Sequence, residues 1–262
     1  MDNIFQKRIN CWNHTVNVTK HLPVPPPSIK LTYDNNFVYE KKYSKSNIVF
    51  FDMDSIDCCL IYAPNALILN LADENFPGGC VSNGSGAQEE SLFRRTNYHT
   101  SLKIELYPLA NDEVIYSPQI SLIKTSESDG WRLLDPNKLN KISFIACPGI
   151  RQPSVITING EQRLNDNDVQ ILKNKIKAII QTAVNYDHKT VIFSALGCGA
   201  FRNPIKHVAE IFKSILMEYD GVVLNYYFAI MTTSSNNYIV KTYSTETKKT
   251  IDIFKEVFGH SY

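Results

Sequence analysis

Leu69-Asn-Leu-Ala-Asp-Glu-Asn-Phe-Pro-Gly-Gly-Cys-Val-Ser-Asn-Gly-Ser-Gly-Ala-Gln-Glu-Glu90 is the stretch on which the reading of this chain turns. It leaves an aliphatic run, Ala66–Leu71, short and apolar enough for a buried strand. It enters a run of helix formers, Ala87–Leu102, with apolar positions at Leu92, Phe93 and Leu102. Gly78, Gly79, Gly84 and Gly86 lie between the two. A backbone without Cβ atoms can turn its N–H groups toward an anion, and the following helix N-terminus adds positive dipole. Strand, glycine loop and helix in that order form the unit of an α/β fold, in which ligands bind at the carboxyl ends of the strands.

The unit recurs at Thr190–Ala195, a second buried strand. Gly197, Cys198, Gly199, Ala200 and Phe201 follow it, and then a helix introduced by Asn203-Pro204, a cap with proline at the first helical position. Neither loop has the Lys-Ser/Thr of a P-loop or the G-x-G-x-x-G spacing. Two such loops at one sheet edge would hold a diphosphate from both sides.

Further strands are expected at Ile48–Met53, Val114–Tyr116, Ile120–Lys124, Ile142–Cys147 and Val222–Ile230. Asp166–Val184 is the clearest helix: Val169, Leu172, Ile176, Ile179, Ile180 and Ala183 form one stripe, and Asn165 or Asp166 can cap it. The helix after Pro204 carries Ile205, Val208, Phe212, Ile215 and Tyr219, and a final helix, Glu246–Phe258, is stopped by Gly259. The alternation predicts a three-layer α/β/α sandwich around a mixed central sheet. The proline-rich Leu22–Ser28 reads as a packed strap, placing an N-terminal extension at residues 1–45 and one folded body at 46–262.

Composition narrows the function classes. At 262 residues with 44% hydrophobic and 20% charged residues, the chain can bury a sizeable core. A net charge of +1 argues against holding nucleic acid or an anionic membrane by bulk charge, so neither is expected as a partner. The six cysteines include no C-x-x-C pair, and none of the six histidines pairs at metal-ligand spacing; no metal or cofactor is expected. The N-terminus lacks the apolar segment of a signal peptide, and no apolar run approaches the roughly 18 residues of a membrane span. An intracellular protein, cytoplasmic or nuclear, is therefore expected.

Glu89 and Glu90 open the helix behind the first loop. Acids in a first turn often only complement the dipole. A carboxylic acid aimed into the cleft, however, can protonate the leaving oxygen of an acetal-type bond. Burial and a second carboxylate would raise its pKa, whereas the helix end would lower it.

The loop, the Gln-Glu-Glu run and the second loop together resemble the microbial-type poly(ADP-ribose) glycohydrolase branch of the macrodomain superfamily. That signature, a triple-glycine loop and then Gln-Glu-Glu, stands here as Gly78-Gly79-Cys80 and Gln88-Glu89-Glu90, with seven residues between. Ser91-Leu-Phe-Arg-Arg95, Ile115-Tyr-Ser-Pro118 and the Gly197–Pro204 block continue the likeness over roughly residues 48–215. The resemblance implies a macrodomain-like fold that binds ADP-ribose or poly(ADP-ribose), or ADP-ribosylated protein. It implies backbone contacts to the diphosphate from Gly78, Gly79 and Cys80 and from Gly197, Cys198, Gly199 and Ala200, with Phe201 packed on the distal ribose. Glu90 would be the catalytic acid/base, and Glu89 would bind ribose hydroxyls or the leaving sugar. Asn70 and Gln88 fall within the same substrate-binding set, and Asp54 aligns with an adenine-contacting acid.

Two positions depart from the pattern. Cys80 replaces the third glycine, bringing a side chain where bare backbone is expected. Asp73 stands where relatives carry Asn, adding a carboxylate. A more acidic site would suit a cationic leaving group, so Asp73 shifts weight toward arginine-linked mono-ADP-ribose. The alternative function is a non-catalytic ADP-ribose reader. The intact Gln88-Glu89-Glu90 argues against a reader; Cys80 and Asp73 argue for one.

Overall fold

The structure is a computed structural model that describes residues 3–232 and 249–259. At its centre lies the strand that opens the quoted stretch, β3 (Leu67–Leu71). Leu67 and Leu69 join one apolar cluster and Ile68 the other, the alternation of a strand covered on both faces. β3 pairs in parallel with β5 (Lys141–Cys147) on one side and β8 (Thr190–Phe193) on the other. The seven-stranded sheet runs β1-β4-β5-β3-β8-β9-β2. Here β1 is Ile29–Thr32, β2 Asn47–Phe51, β4 Glu113–Ser121 and β9 Asn225–Ala229. β4 runs against both neighbours while every other pair is parallel, so the sheet is mixed as expected. The loops leaving β5, β3 and β8 emerge side by side at one sheet edge.

Helices cover both faces. α2 (Ser55–Tyr62) and α3 (Gln88–Arg95) pack on one side, with Trp12 of α1 (Ile4–Thr19) against the same cluster. On the other lie α4 (Asp166–Asn185), α5 (Ile205–Glu218) and α6 (Thr250–Phe258). The α4 stripe buries Leu172, Ile176, Ile179, Ile180 and Ala183, and Asn165 caps the helix by accepting from Asp168 N–H. Each fully buried Leu or Ile contributes roughly 1.5–3 kcal/mol relative to exposure. No helix among the described residues is long and apolar enough to cross a membrane.

Several elements differ from expectation. The two strands expected between Val114 and Lys124 are one bulged strand, β4, whose register shifts between Ser117 and Ile120 around Pro118. α3 ends at Arg95 because Thr96 leaves the helix to bridge Leu122. Pro204 stands at the head of α5 without a side-chain cap, since Asn203 is used elsewhere. An unforeseen hairpin joins β6 (Val155–Ile158) to β7 (Glu161–Leu164). Its turn residues Asn159 and Gly160 have φ of 51° and 81°, the geometry Asn-Gly favours. The expected first residues of the last helix, 246–248, lie outside the described residues.

The N-terminal segment reaches both the sheet and the signature loop. β1 pairs with β4, and the proline strap is tied down where Ser101 Oγ donates to Pro26 O (2.7 Å). In α1, Arg8 donates to both oxygens of Glu127 (2.9 and 3.0 Å) and fills the space that a Cβ on Gly86 would occupy. Buried Lys124 donates to Cys11 O and Thr15 Oγ1, both at 2.8 Å. These contacts fix α1 against the loop that precedes Glu89 and Glu90.

Candidate active site

The signature loop folds back on its own helix. Gly78 and Gly79 have φ of 82° and 52°, a region side chains avoid. A Cβ on Gly78 would lie 2.6 Å from the Phe93 ring, and one on Gly79 would lie 2.9 Å from Glu90 Oε1. Cys80 has φ −99° and its side chain is exposed. The third position therefore needs no glycine, and Cys80 is accommodated with ordinary backbone.

The Gln88-Glu89-Glu90 run divides three tasks. Gln88 donates from Nε2 to Leu69 O (2.7 Å) and accepts Leu71 N–H at Oε1 (2.8 Å), so its amide stands in for a neighbouring strand's peptide group. It also donates to Ser55 Oγ (3.2 Å). Glu89 is 3% exposed and accepts three hydrogen bonds: from Asp73 N–H (2.7 Å), Gly78 N–H (3.1 Å) and Asn70 Nδ2 (3.2 Å). Burial nevertheless pushes its carboxyl up to about 8; the three donors oppose the shift and neighbouring Glu90 adds to it. In the contest between burial and stabilising donors, burial wins. Glu90, 6% exposed, accepts Cys80 N–H at Oε1 (3.1 Å), while its Oε2 is buried without a partner.

This arrangement reassigns the loop. The N–H groups of Gly78 and Cys80 grip the two carboxylates, where the sequence suggested a diphosphate contact. The second loop is the freer one. The N–H groups of Gly199, Ala200 and Phe201 take no partner among the described residues, and Gly199 and Ala200 are exposed. Gly197 has φ 75° and its backbone touches that of Gly149, where a Cβ would sit 2.4 Å from Gly197 Cα. Asn203 Nδ2 donates to Ile150 O (2.6 Å) and Gly197 O (3.0 Å), tying the β5 and β8 loops into one unit. The Cys198 thiol is buried, which pushes its pKa up, so this residue offers the cleft only backbone.

Asp73 does not stand as a free third negative charge, which corrects the reading that it makes the site more acidic. Its Oδ1 accepts Asn75 N–H (2.8 Å) and Phe76 N–H (3.3 Å), closing a turn, and its Oδ2 pairs with Arg151 (2.7 Å). Arg151 also bonds Glu74 Oε1 (2.9 Å) and lies 4.4 Å from the centre of the Phe201 ring. Asp54 is likewise engaged internally. Its Oδ1 caps α2 through Ile56 N–H (2.8 Å) and pairs with Arg95 (2.7 Å), whose other nitrogen holds Asp57 (2.7 Å). Arg94 and Arg95 are each 1% exposed, buried struts, Arg94 donating to Ser85 O (2.6 Å) in the signature loop.

Sequence reasoning passed over four contributors. Arg151 and Gly149 follow the end of β5, where the strand's exit at Cys147-Pro148-Gly149 offered a signal. Tyr98 is buried and Tyr107 half-buried with its hydroxyl enclosed; burial raises the pKa of both, Tyr98 and then Glu89 adding to it at Tyr107, while Ser117 and Asn70 oppose it at Tyr98. No sequence pattern marked them. Among the described residues no cluster of three His, Cys, Asp or Glu is placed to hold a metal ion. His188 and His207 bond internal partners, Asn65 O and Leu164 N–H.

Residues 33–125 match the family model for the catalytic domain of microbial-type poly(ADP-ribose) glycohydrolase (PARG). A comparison with curated proteins gave no match. Among solved structures, PARG from Thermomonospora curvata superposes with a TM-score of 0.76 at 18% identity, covering 97% of this chain and 100% of that one. The same enzyme bound to the inhibitor ADP-HPD gives 0.75 at 19%, covering 96% and 99%. PARG from Deinococcus radiodurans in complex with ADP-ribose gives 0.69 at 18%, covering 89% and 95%.

Proposed function

We propose that this chain belongs to a microbial PARG-like family and hydrolyses the glycosidic bond of ADP-ribose in a polymer or on a protein, with Glu90 as acid and base. The observation that carries the reading is the buried, unpartnered Oε2 of Glu90 beside the fully bonded carboxyl of Glu89. An orphaned carboxylate oxygen costs roughly 1–3 kcal/mol or more, a cost a reader of ADP-ribose has no cause to keep.

In this reading the diphosphate lies on the free N–H groups of Gly199, Ala200 and Phe201. Phe201 packs on the distal ribose. Asn70 and Gln88 act one step back: Asn70 holds Glu89, and Gln88 sets the first turn of α3 against β3. The Glu90 carboxylic acid gives its proton to the departing oxygen as the C–O bond at the ribose anomeric carbon breaks. The resulting carboxylate takes a proton from water, whose oxygen bonds the same carbon, and Glu90 is regenerated as the acid. Glu89 holds the loop by accepting from Gly78 and Asp73 N–H.

Residues 1–45 act as an extension that braces the body formed by 46–262, with α1 backing the signature loop. An intracellular site of action belongs to the same reading, supported by six free cysteines, five of them buried. The test supplies purified protein with poly(ADP-ribose), arginine-linked and carboxylate-linked mono-ADP-ribosylated protein, and free ADP-ribose. Turnover of at least one conjugate is expected. Binding of ADP-ribose with no turnover of any would make the protein a reader.

A further inference from the structure

We propose that Arg151 sets which leaving group the site expels, favouring the next ADP-ribose unit of a polymer over the guanidinium of an arginine-linked substrate. The inference rests on the hydrolase reading above. Arg151 leaves the β5 loop and joins three loops at once. It pairs with Asp73 and Glu74 on the β3 loop and lies over Phe201 on the β8 loop. Gln152 N–H donates to Phe201 O (3.0 Å), so the segment carrying Arg151 moves with the ring.

Its position relative to the acids is fixed through Asp73. The same residue offers its side chain to Arg151 and its N–H to Glu89 Oε2. The cation therefore stands one residue removed from Glu89, beside the Phe201 ring. With the distal ribose on Phe201, the bond to be cut and the group beyond it lie close to that ring.

The charge there is not what the carboxylates alone imply. The charged groups in this region include Asp73, Glu74, Arg151, Glu89 and Glu90, with buried Arg94 acting on Glu90 from behind and exposed Arg202 following Phe201 on the β8 loop. Asp73 has both oxygens occupied, one by backbone N–H groups and one by Arg151. Glu74 gives an oxygen to the same guanidinium, and Glu89 is held toward its neutral form by burial. Arg151 uses Nε and Nη2 in these pairs and keeps a side chain 43% exposed. Its Nη1 has no partner among the described residues, which leaves a charged donor free to bond an incoming group. A polymer brings a diphosphate or sugar hydroxyl that can accept from it. An arginine-linked conjugate brings a second guanidinium, a like-charge approach that is unfavourable and, at this half-exposed side chain, weakened by salt.

The experiment compares kcat/KM for poly(ADP-ribose) and for arginine-linked mono-ADP-ribosylated protein. It uses the wild type, Arg151→Met and Arg151→Lys, with calorimetric binding of free ADP-ribose reporting an intact pocket. Wild type should favour the polymer. Arg151→Met, which keeps an apolar stem over Phe201, should lower that preference about tenfold or more, and Arg151→Lys should retain most of it. An unchanged ratio in Arg151→Met, or an equal loss on both substrates, overturns the proposal. So does a wild type that favours the arginine-linked conjugate. Should Arg151→Met fail to bind ADP-ribose, the wild-type ratio is read from low to high sodium chloride. A preference that narrows with salt supports the proposal, and a constant one overturns it. A wild type that cleaves neither conjugate sinks the hydrolase reading and this inference together, an outcome distinct from an unchanged ratio.

Discussion

Replacing Glu89 by Gln should change how the protein's stability depends on pH, and in a direction fixed by the site. Burial lifts this carboxyl from 4.5 to about 8 against the pull of three hydrogen-bond donors. The folded chain then holds the proton more tightly than the unfolded chain does. Wild-type stability therefore falls as pH rises from the unfolded value to about 8, and levels off above it. At about 1.4 kcal/mol per pKa unit the ceiling on the loss is about 5 kcal/mol. The Glu89→Gln substitution removes the titration. The new amide's carbonyl can still accept from Asn70 and Gly78, but its NH₂ would face Asp73 N–H, which adds a constant penalty of about 1–3 kcal/mol. The offset does not depend on pH; the slope does. The assay is urea unfolding of wild type and Glu89→Gln at unit steps between about pH 5 and 8, taking the difference in unfolding free energy at each. The wild-type advantage should shrink steadily across this window. A flat difference would mean that the donors outweigh burial, and the account of Glu89 would be wrong.

Other outcomes follow from the same geometry. Gly79→Ala should abolish turnover and destabilise by about 1–3 kcal/mol, because the new Cβ meets Glu90 Oε1 at a positive φ; unfolding and activity assays check it. Cys80→Gly should leave ADP-ribose affinity within about threefold and cost no more than about 1 kcal/mol, since φ there is already ordinary; a tenfold gain in affinity would contradict this. Asn203→Ala should cost about 1–3 kcal/mol and weaken ADP-ribose binding by calorimetry, because it frees Gly197 O and Ile150 O and loosens the loop that offers N–H groups to the diphosphate.

What the sequence made legible follows from period and punctuation. β3, β5, β8 and α4 were readable because strands covered on both faces and a helix on a core each leave a strong apolar pattern. The two loops were readable because glycine at Gly78, Gly79 and Gly197 is demanded by positive φ. Partnership was not readable. That Gly78 and Cys80 N–H groups hold carboxylates, that Asp73 is matched by Arg151, and that Arg94 and Arg95 are buried struts all depend on contacts between distant segments. Asn203 showed the same limit. Its place before Pro204 fits a helix cap, yet its amide ties the β8 loop to the β5 loop instead. β1 escaped notice because four residues at a sheet edge carry too little apolar pattern to mark a strand.

The most direct test of the central claim is Glu90→Gln assayed for turnover of poly(ADP-ribose) and for calorimetric binding of free ADP-ribose. The substitution keeps the acceptor that Cys80 N–H needs and removes only the proton that Oε2 is placed to exchange. Turnover should fall by about 10²-fold or more with ADP-ribose affinity changed less than about threefold. Turnover that survives the substitution would contradict the assignment of Glu90 as the acid and base of this site.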